Sequence, residues 1–297
     1  MWSLKQLAKD AERLHPESAP SKHSDPWRTL FKRHHLTALS LLNRAEELQL
    51  GGRRNPVSKR GNKSPLAFLD IGCGIGYVLV TLRAHGHLVR GLNAPDFSAP
   101  HLVPTWKALQ LTPDAISCAP IVAMRPPPLG ANERFDVVSG FKMQFHTTAL
   151  AAVEQEPTSK QAKRRNLRRW GTREWEYFLG ELAHRHLHAR SLLVFEFVEG
   201  FGLGNGGPSK DAELLSFFSS LGGNQSGTKY GELWVLGGDN WAIQQRRLAR
   251  RHGRWMDGGA ANATSDTDSG GGPLSRRMPA GTRSRVAQVE KECSELQ

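Results

Sequence analysis

Asp70-Ile71-Gly72-Cys73-Gly74-Ile75-Gly76 lies between the apolar run Leu66–Leu69 and the segment Tyr77–Ala84. An acidic residue at a strand end, followed by alternating glycines that open into a helix, makes a ligand-binding turn. The glycines let the backbone approach a bound group, and the first helical turn faces it with free N–H groups. A dinucleotide fingerprint places its third glycine one residue later; here Gly76 comes early and Tyr77 stands where that motif wants glycine. A carboxylate at Asp70 suits a cationic or amine-bearing ligand and repels a pyrophosphate. A nicotinamide-dependent oxidoreductase is therefore disfavoured. The bland alternative is a tight strand-to-helix connection that binds nothing.

A second group of reactive side chains follows the apolar strand FDVVSGF: Lys142, Gln144, Phe145 and His146. In open α/β sheets ligands bind at the carboxyl ends of the strands, which is where these residues fall. His146 could accept a proton near neutral pH, and it reads equally as a surface-loop histidine. Lys142 could be a solvated charge, and Phe141 and Phe145 either an aromatic wall or core. His184, His186 and His188 spread over different helix faces, so a shared metal is not expected; favourable interaction with a helix C-terminus accounts for them. No His-Glu-x-x-His helix, Gly-x-Ser-x-Gly elbow or Gly-Lys-Ser/Thr phosphate loop is present. The three cysteines, Cys73, Cys118 and Cys293, are too widely separated for zinc spacing and read as reduced thiols.

The elements that must hold these residues alternate between strand-like and helix-like patterns, predicting a parallel sheet covered by helices. Strands are expected over Leu66–Ile71, His87–Leu92, Ala115–Ile121, Phe135–Phe141, Ser191–Phe197 and Glu232–Leu236. Helices are expected over Ile75–Ala84, Val103–Leu109, Thr172–Leu187 and Asp211–Leu221. In the Thr172 helix, Trp175, Phe178, Leu179, Leu182 and His186 share a face and Thr172 is the expected cap. Trp170 and Trp175 read as packing residues. Residues 1–50 form a helical extension with Leu36, Leu39, Leu42 and Ala45 as its stripe, and 51–64 a basic linker. The folded domain is placed at 65–242, and 243–297 is read as a basic, low-complexity, disordered tail.

The Asp-x-Gly-x-Gly-x-Gly turn, with the strands FDVVSGF and SLLVFEF, resembles the class I S-adenosylmethionine-dependent methyltransferases over about Pro65–Phe197. Trp170-Gly171-Thr172-Arg173-Glu174-Trp175 resembles the start of the helix before the fifth strand in a bacterial subgroup of them. The resemblance implies a Rossmann-like, seven-stranded, mostly parallel sheet flanked by helices, and S-adenosylmethionine as cofactor. By it Asp70 would sit near the methionine amino group, and Gly72 and Gly74 would allow backbone contact. Cys73, Gly76, Asn93, Ala94 and Phe141 would complete the cofactor site. The family usually has an acidic residue where Asn93 stands. An amide can accept one ribose hydrogen bond and donate another, without the charge-assisted strength of a carboxylate, so weaker binding is expected. Asp96 could substitute. Ser117 and Cys118 are positional candidates for the adenine loop, and His188-Ala189-Arg190 replaces the usual Pro-Gly-Gly. Methyl transfer from a sulfonium is a direct displacement that needs alignment and exclusion of water more than a general base.

The formal charge is +12, with basic residues concentrated at Arg53–Lys63, Lys160–Arg173 and Arg246–Arg254. A basic surface gathers polyanions, so nucleic acid is a possible partner; a solvated surface is the plainer reading. The alternative to an active enzyme is a cofactor-binding relic that acts through its basic loop and tail on nucleic acid or another acidic partner. There is no run of about 18 apolar residues to span a membrane, and the charged N-terminus does not read as a secretory signal. A cytoplasmic protein is expected. No residue pattern marks the methyl acceptor.

Overall fold

Alternating apolar positions in the strands feed two opposite faces of one sheet, because successive side chains on a strand point to opposite sides. The computed structural model describes residues 26–47, 64–93, 105–111, 115–119, 121–143, 146–148, 167–198, 208, 211–228 and 231–263. The sheet strands are β1 (Ala67–Ile71), β2 (Leu88–Asn93), β3 (Ile116–Cys118), β4 (Phe135–Met143), β7 (Leu187–Val198), β8 (Asn224–Thr228) and β9 (Gly231–Leu236); β5 (His146–Thr148) and β6 (Leu167–Arg169) form a separate antiparallel ribbon. The helices are α1 (Pro26–Glu47), α2 (Tyr77–Ala84), α3 (Thr172–Glu181), α4 (Ala212–Ser220) and α5 (Gly238–Ala263).

The sheet order is β3-β2-β1-β4-β7-β9-β8. The first five strands are parallel to their neighbours, β9 runs antiparallel to β7, and β8 antiparallel to β9. The chain therefore has the seven-stranded, mostly parallel, helix-flanked sheet that the sequence led us to expect. After β3 the chain crosses β1 to build the other half from β4 outward. This reversal makes the carboxyl ends of β1 and β4 a topological switch point, the crevice where doubly wound sheets bind ligands.

On one face, Phe68, Val137, Leu192 and Val194 pack with Ala38, Leu41 and Ala45 of α1 and Val78 and Leu82 of α2. On the other, Leu69, Ile71, Val138, Leu193 and Phe195 pack under α3, α4 and α5. Trp175 sits at the centre of that layer, with edge contacts to Trp170, Phe178, Phe197 and Phe218 at centroid separations of 5.2–6.0 Å. Both tryptophans are packing residues, as their spacing suggested.

Four expectations about α1, α3 and β7 are corrected. The buried stripe of α1 is Ala38, Leu41 and Ala45, whereas Leu36 is exposed. Residue 172 is not the cap of α3. Gly171 holds that place, and its N–H donates to Glu174 Oε2 at 2.8 Å, the reach-back half of a capping box. The α-helix also stops at Glu181. Leu182–His186 form a π-helical turn that leads directly into β7 at Leu187, four residues before the expected strand start.

The largest correction is at the C-terminal boundary. Residues assigned to a disordered tail from 243 onward continue α5 to Ala263, and Gln245, Leu248 and His252 are buried. With Trp241 they follow helical spacing, but two of the four are polar, so hydropathy alone hides the stripe. β8, with the polar sequence NQSGT, was missed for the same reason. The linker 51–63 and the segment 264–297 lie outside the described residues, as do 1–25.

Candidate functional site

Three glycines bend the chain between β1 and α2. Gly72, Gly74 and Gly76 have φ of 69°, 51° and 86°, in the left-handed region where a side chain is strained. The N–H groups of Gly72 and Cys73 both donate to the Leu92 carbonyl, at 2.7 and 3.1 Å, which pins the turn to the end of β2. The Gly76 N–H donates to the Cys73 carbonyl at 2.9 Å. From the other side, Trp106 Nε1 donates to the Gly74 carbonyl at 2.8 Å.

The three glycines do different work. A Cβ on Gly76 would lie 2.5 Å from Leu111 Cδ1, so this glycine serves packing against the segment that follows β2. Its place in the sequence-derived cofactor set therefore rests on its backbone and on the turn it closes. A Cβ on Gly74 would meet only the Gly72 carbonyl, at 3.9 Å, and Gly72 is exposed. These two leave the backbone approachable. The Cys73 side chain points inward and joins Tyr77, Leu79 and Trp106 in a buried cluster. A Cβ on Gly91 would come within 2.7 Å of its sulfur, so β2 is small there to admit it. Cys73 can offer a ligand its backbone only.

Asp70 is 3% exposed. The parallel register of β1 and β4 puts it opposite Ser139, whose hydroxyl donates to Asp70 Oδ1 at 2.8 Å. Burial pushes the carboxyl up to about 7, with the Ser139 hydrogen bond acting in the other direction. A carboxyl this buried, at a switch point, is a functional-site candidate because ionisation there is costly until a cation arrives. Asn93 ends β2, buried and in register with Cys118 of β3. The fold thus brings Asp70, Gly72, Gly74 and Asn93 to neighbouring strand ends.

The remaining expected site residues fall elsewhere or beyond description. Phe141 is partly buried and packs against the cluster of β4, β7, α1 and α2, its core alternative. The Ser117 hydroxyl accepts from Arg90 Nη2 at 2.7 Å, so Arg90 engages the group proposed for adenine. The backbones of Lys142 and His146 belong to β4 and β5, while their side chains, like that of Cys118 and the whole of Ala94 and Asp96, lie outside the described residues. His186 is buried, its Nδ1 3.0 Å from the Glu133 carbonyl. Among the described residues no cluster of three or more His, Cys, Asp or Glu could hold a metal ion, and no helix is long and apolar enough to cross a membrane.

Sequence reasoning missed Ser139 and Trp106. Ser139 carried a signal, as the one hydroxyl in the apolar strand FDVVSGF. Trp106 carried none, since its partner is a backbone carbonyl 32 residues away.

No protein family and no curated protein matches this chain. Solved structures of similar fold include magnesium protoporphyrin IX methyltransferase from Synechocystis PCC 6803 with bound SAM, 14% identical over 78% of this chain and 90% of that one, with a TM-score of 0.41. DesVI of Streptomyces venezuelae is 16% identical over 69% of this chain and 98% of that one, at a TM-score of 0.34. A TehB-like SAM-dependent methyltransferase from Corynebacterium glutamicum is 14% identical over 70% and 100%, also at 0.34.

Proposed function

We propose that this chain binds S-adenosylmethionine at the β1–α2 turn and transfers its methyl group to an acceptor by direct displacement. The observation that carries the reading is Asp70: a buried carboxyl held near neutrality by desolvation, beside two approachable left-handed glycines at the switch point of the sheet. The residues present fit that cofactor. An ammonium brought to Asp70 supplies the cation that its burial withholds, and the exposure of Gly72 and the open side of Gly74 allow close backbone approach. Asn93 offers an amide that can accept from one ribose hydroxyl and donate to the other.

When bound, S-adenosylmethionine supplies an electrophilic methyl group on a sulfonium. The chain's contribution is placement. Asp70, kept in position by Ser139, orients the amino-acid end; the pinned turn fixes the distance of the backbone; the carboxyl end of β4, from Phe141 onward, faces the direction of acceptor approach. Such a displacement requires no obligatory base, and Lys142 and His146 are proposed only as residues near the acceptor.

Calorimetric titration of the full chain with S-adenosylmethionine, S-adenosylhomocysteine and NAD tests this. Saturable binding of the first two is expected, lost in Asp70→Ala. Pairing an ammonium with a carboxyl that titrates near 7 also releases protons at pH 6–7, visible as a dependence of the binding heat on buffer ionisation enthalpy. Binding of NAD alone would overturn the proposal.

A further inference from the structure

α5 is held in one rotational setting by polar contacts along its inner side. Trp241 Nε1 donates to the Ser191 carbonyl at 2.8 Å and Gln245 Nε2 to the His188 carbonyl at 2.7 Å. His252 Nε2 lies 2.5 Å from Glu181 Oε2, both residues buried. With Leu248 also buried, the opposite side of the helix is committed to solvent.

That outer side carries Arg246, Arg247, Arg250, Arg251 and Arg254, all exposed. Arg246, Arg250 and Arg254 form one row at four-residue spacing, and Arg247 and Arg251 a second. Arg251 pairs with Glu176 at 2.8 Å. Among the described residues, none of the other four has an ion-pair partner. Like charges four apart destabilise a helix, and an outer face that only covered α3 would be expected to alternate its signs. The rows instead repeat one charge about every 6 Å along a rigid axis.

We propose that the arginine face of α5 binds the sugar–phosphate backbone of nucleic acid. A regular row of guanidinium forks suits a regular row of phosphates, each of which it can engage in bidentate fashion. The net charge of +12 adds long-range attraction. A membrane surface fits less well, because an interfacial helix needs apolar side chains free to enter lipid, and among the described side chains of α5 Trp241 and Leu248 are buried and the one large apolar residue exposed is Ile243, at 42%. A folded acidic protein fits less well too, since the face offers no exposed aromatic anchor among its described residues. The surface is independent of the β1–α2 turn and stands or falls separately from the methyl-transfer reading.

The test is fluorescence anisotropy of labelled duplex DNA, duplex RNA and single-stranded RNA with the full chain across a series of KCl concentrations. The triple variant Arg246→Gln/Arg250→Gln/Arg254→Gln should weaken duplex binding on the order of a hundredfold near 100 mM salt and flatten the log–log salt slope by about 2.7, or about 2 for a single strand. The arm with the steepest slope identifies which nucleic acid the face fits. The corresponding Arg→Lys triple should keep most of the slope, and an unchanged circular dichroism spectrum separates loss of contact from loss of fold. Arg276→Gln/Arg277→Gln/Arg283→Gln removes the same charge outside α5. Equal weakening by that variant, or equally tight binding to polyglutamate or to anionic phospholipid vesicles, overturns the proposal.

Discussion

Replacing Asp70 by Asn keeps the shape of the side chain and removes its ionisation, and the cost of that ionisation can be worked out from its burial. The carboxyl titrates at about 7 in the folded protein against 3.8 for an unburied one. A folded pKa raised above the unfolded value means that the native state binds the proton more tightly, so the stabilising contribution is complete below 3.8 and is lost as pH rises through 7. At about 1.4 kcal/mol per pH unit, the raised pKa of Asp70 costs the wild type about 4 kcal/mol at pH 8, where the buried carboxyl is ionised, and about 2 kcal/mol at pH 5, where it stays protonated while that of the unfolded chain ionises. The unfolding free energy of Asp70→Asn minus that of the wild type should therefore be larger at pH 8 than at pH 5, by about 2–3 kcal/mol. Urea titrations followed by tryptophan fluorescence at the two pH values measure it, and taking the difference cancels every other titrating group. The variant should at the same time lose affinity for S-adenosylmethionine. A difference that does not change with pH would refute the reasoning, because it would mean that Asp70 is not desolvated in the native protein.

Gly76→Ala combines a left-handed backbone with a close approach to Leu111, so it should cost about 2–4 kcal/mol, measured by urea unfolding. Gly74→Ala has open space and only the backbone strain, so it should cost about 1 kcal/mol while reducing cofactor affinity in calorimetry. Trp106→Phe removes the donor to the Gly74 carbonyl, and a loss of about 1 kcal/mol in stability with weaker cofactor binding is expected. Burial pushes the His252 imidazole below its ordinary 6.5, only partly offset by Glu181, so the unfolded chain takes up a proton that the folded one resists. Stability should fall as pH drops below 6.5, and His252→Gln should remove that slope in thermal melts across pH 5–8.

How much of this was legible beforehand depended on how local each signal is. The turn Asp70–Gly76, the alternation of strands and helices, and the buried face of α3 are patterns within a few residues, and they emerged in the structure close to where they were expected. Boundaries moved where a neighbour decided them: Glu174 reaching back to Gly171 set the start of α3, and a π-helical turn set the start of β7. The stripe of α1 shifted from Leu36 to Ala38 because the surface available to it is the one made by Val78, Leu82 and Val137.

By itself the sequence determined the class of fold and the place of the turn, since periodicity, glycine conformation and apolar runs act over short stretches of chain. The assignment of roles within the turn came only with the tertiary structure. Gly76 became a packing residue against Leu111, Cys73 faced inward beside Gly91, and Asp70 acquired Ser139, because strand register brings together residues 69 positions apart. The same holds for α5, whose polar inner stripe is stabilised by carbonyls and a carboxylate of β7 and α3. A buried polar residue is recognisable only once its partner is in place, and no local pattern carries that partner.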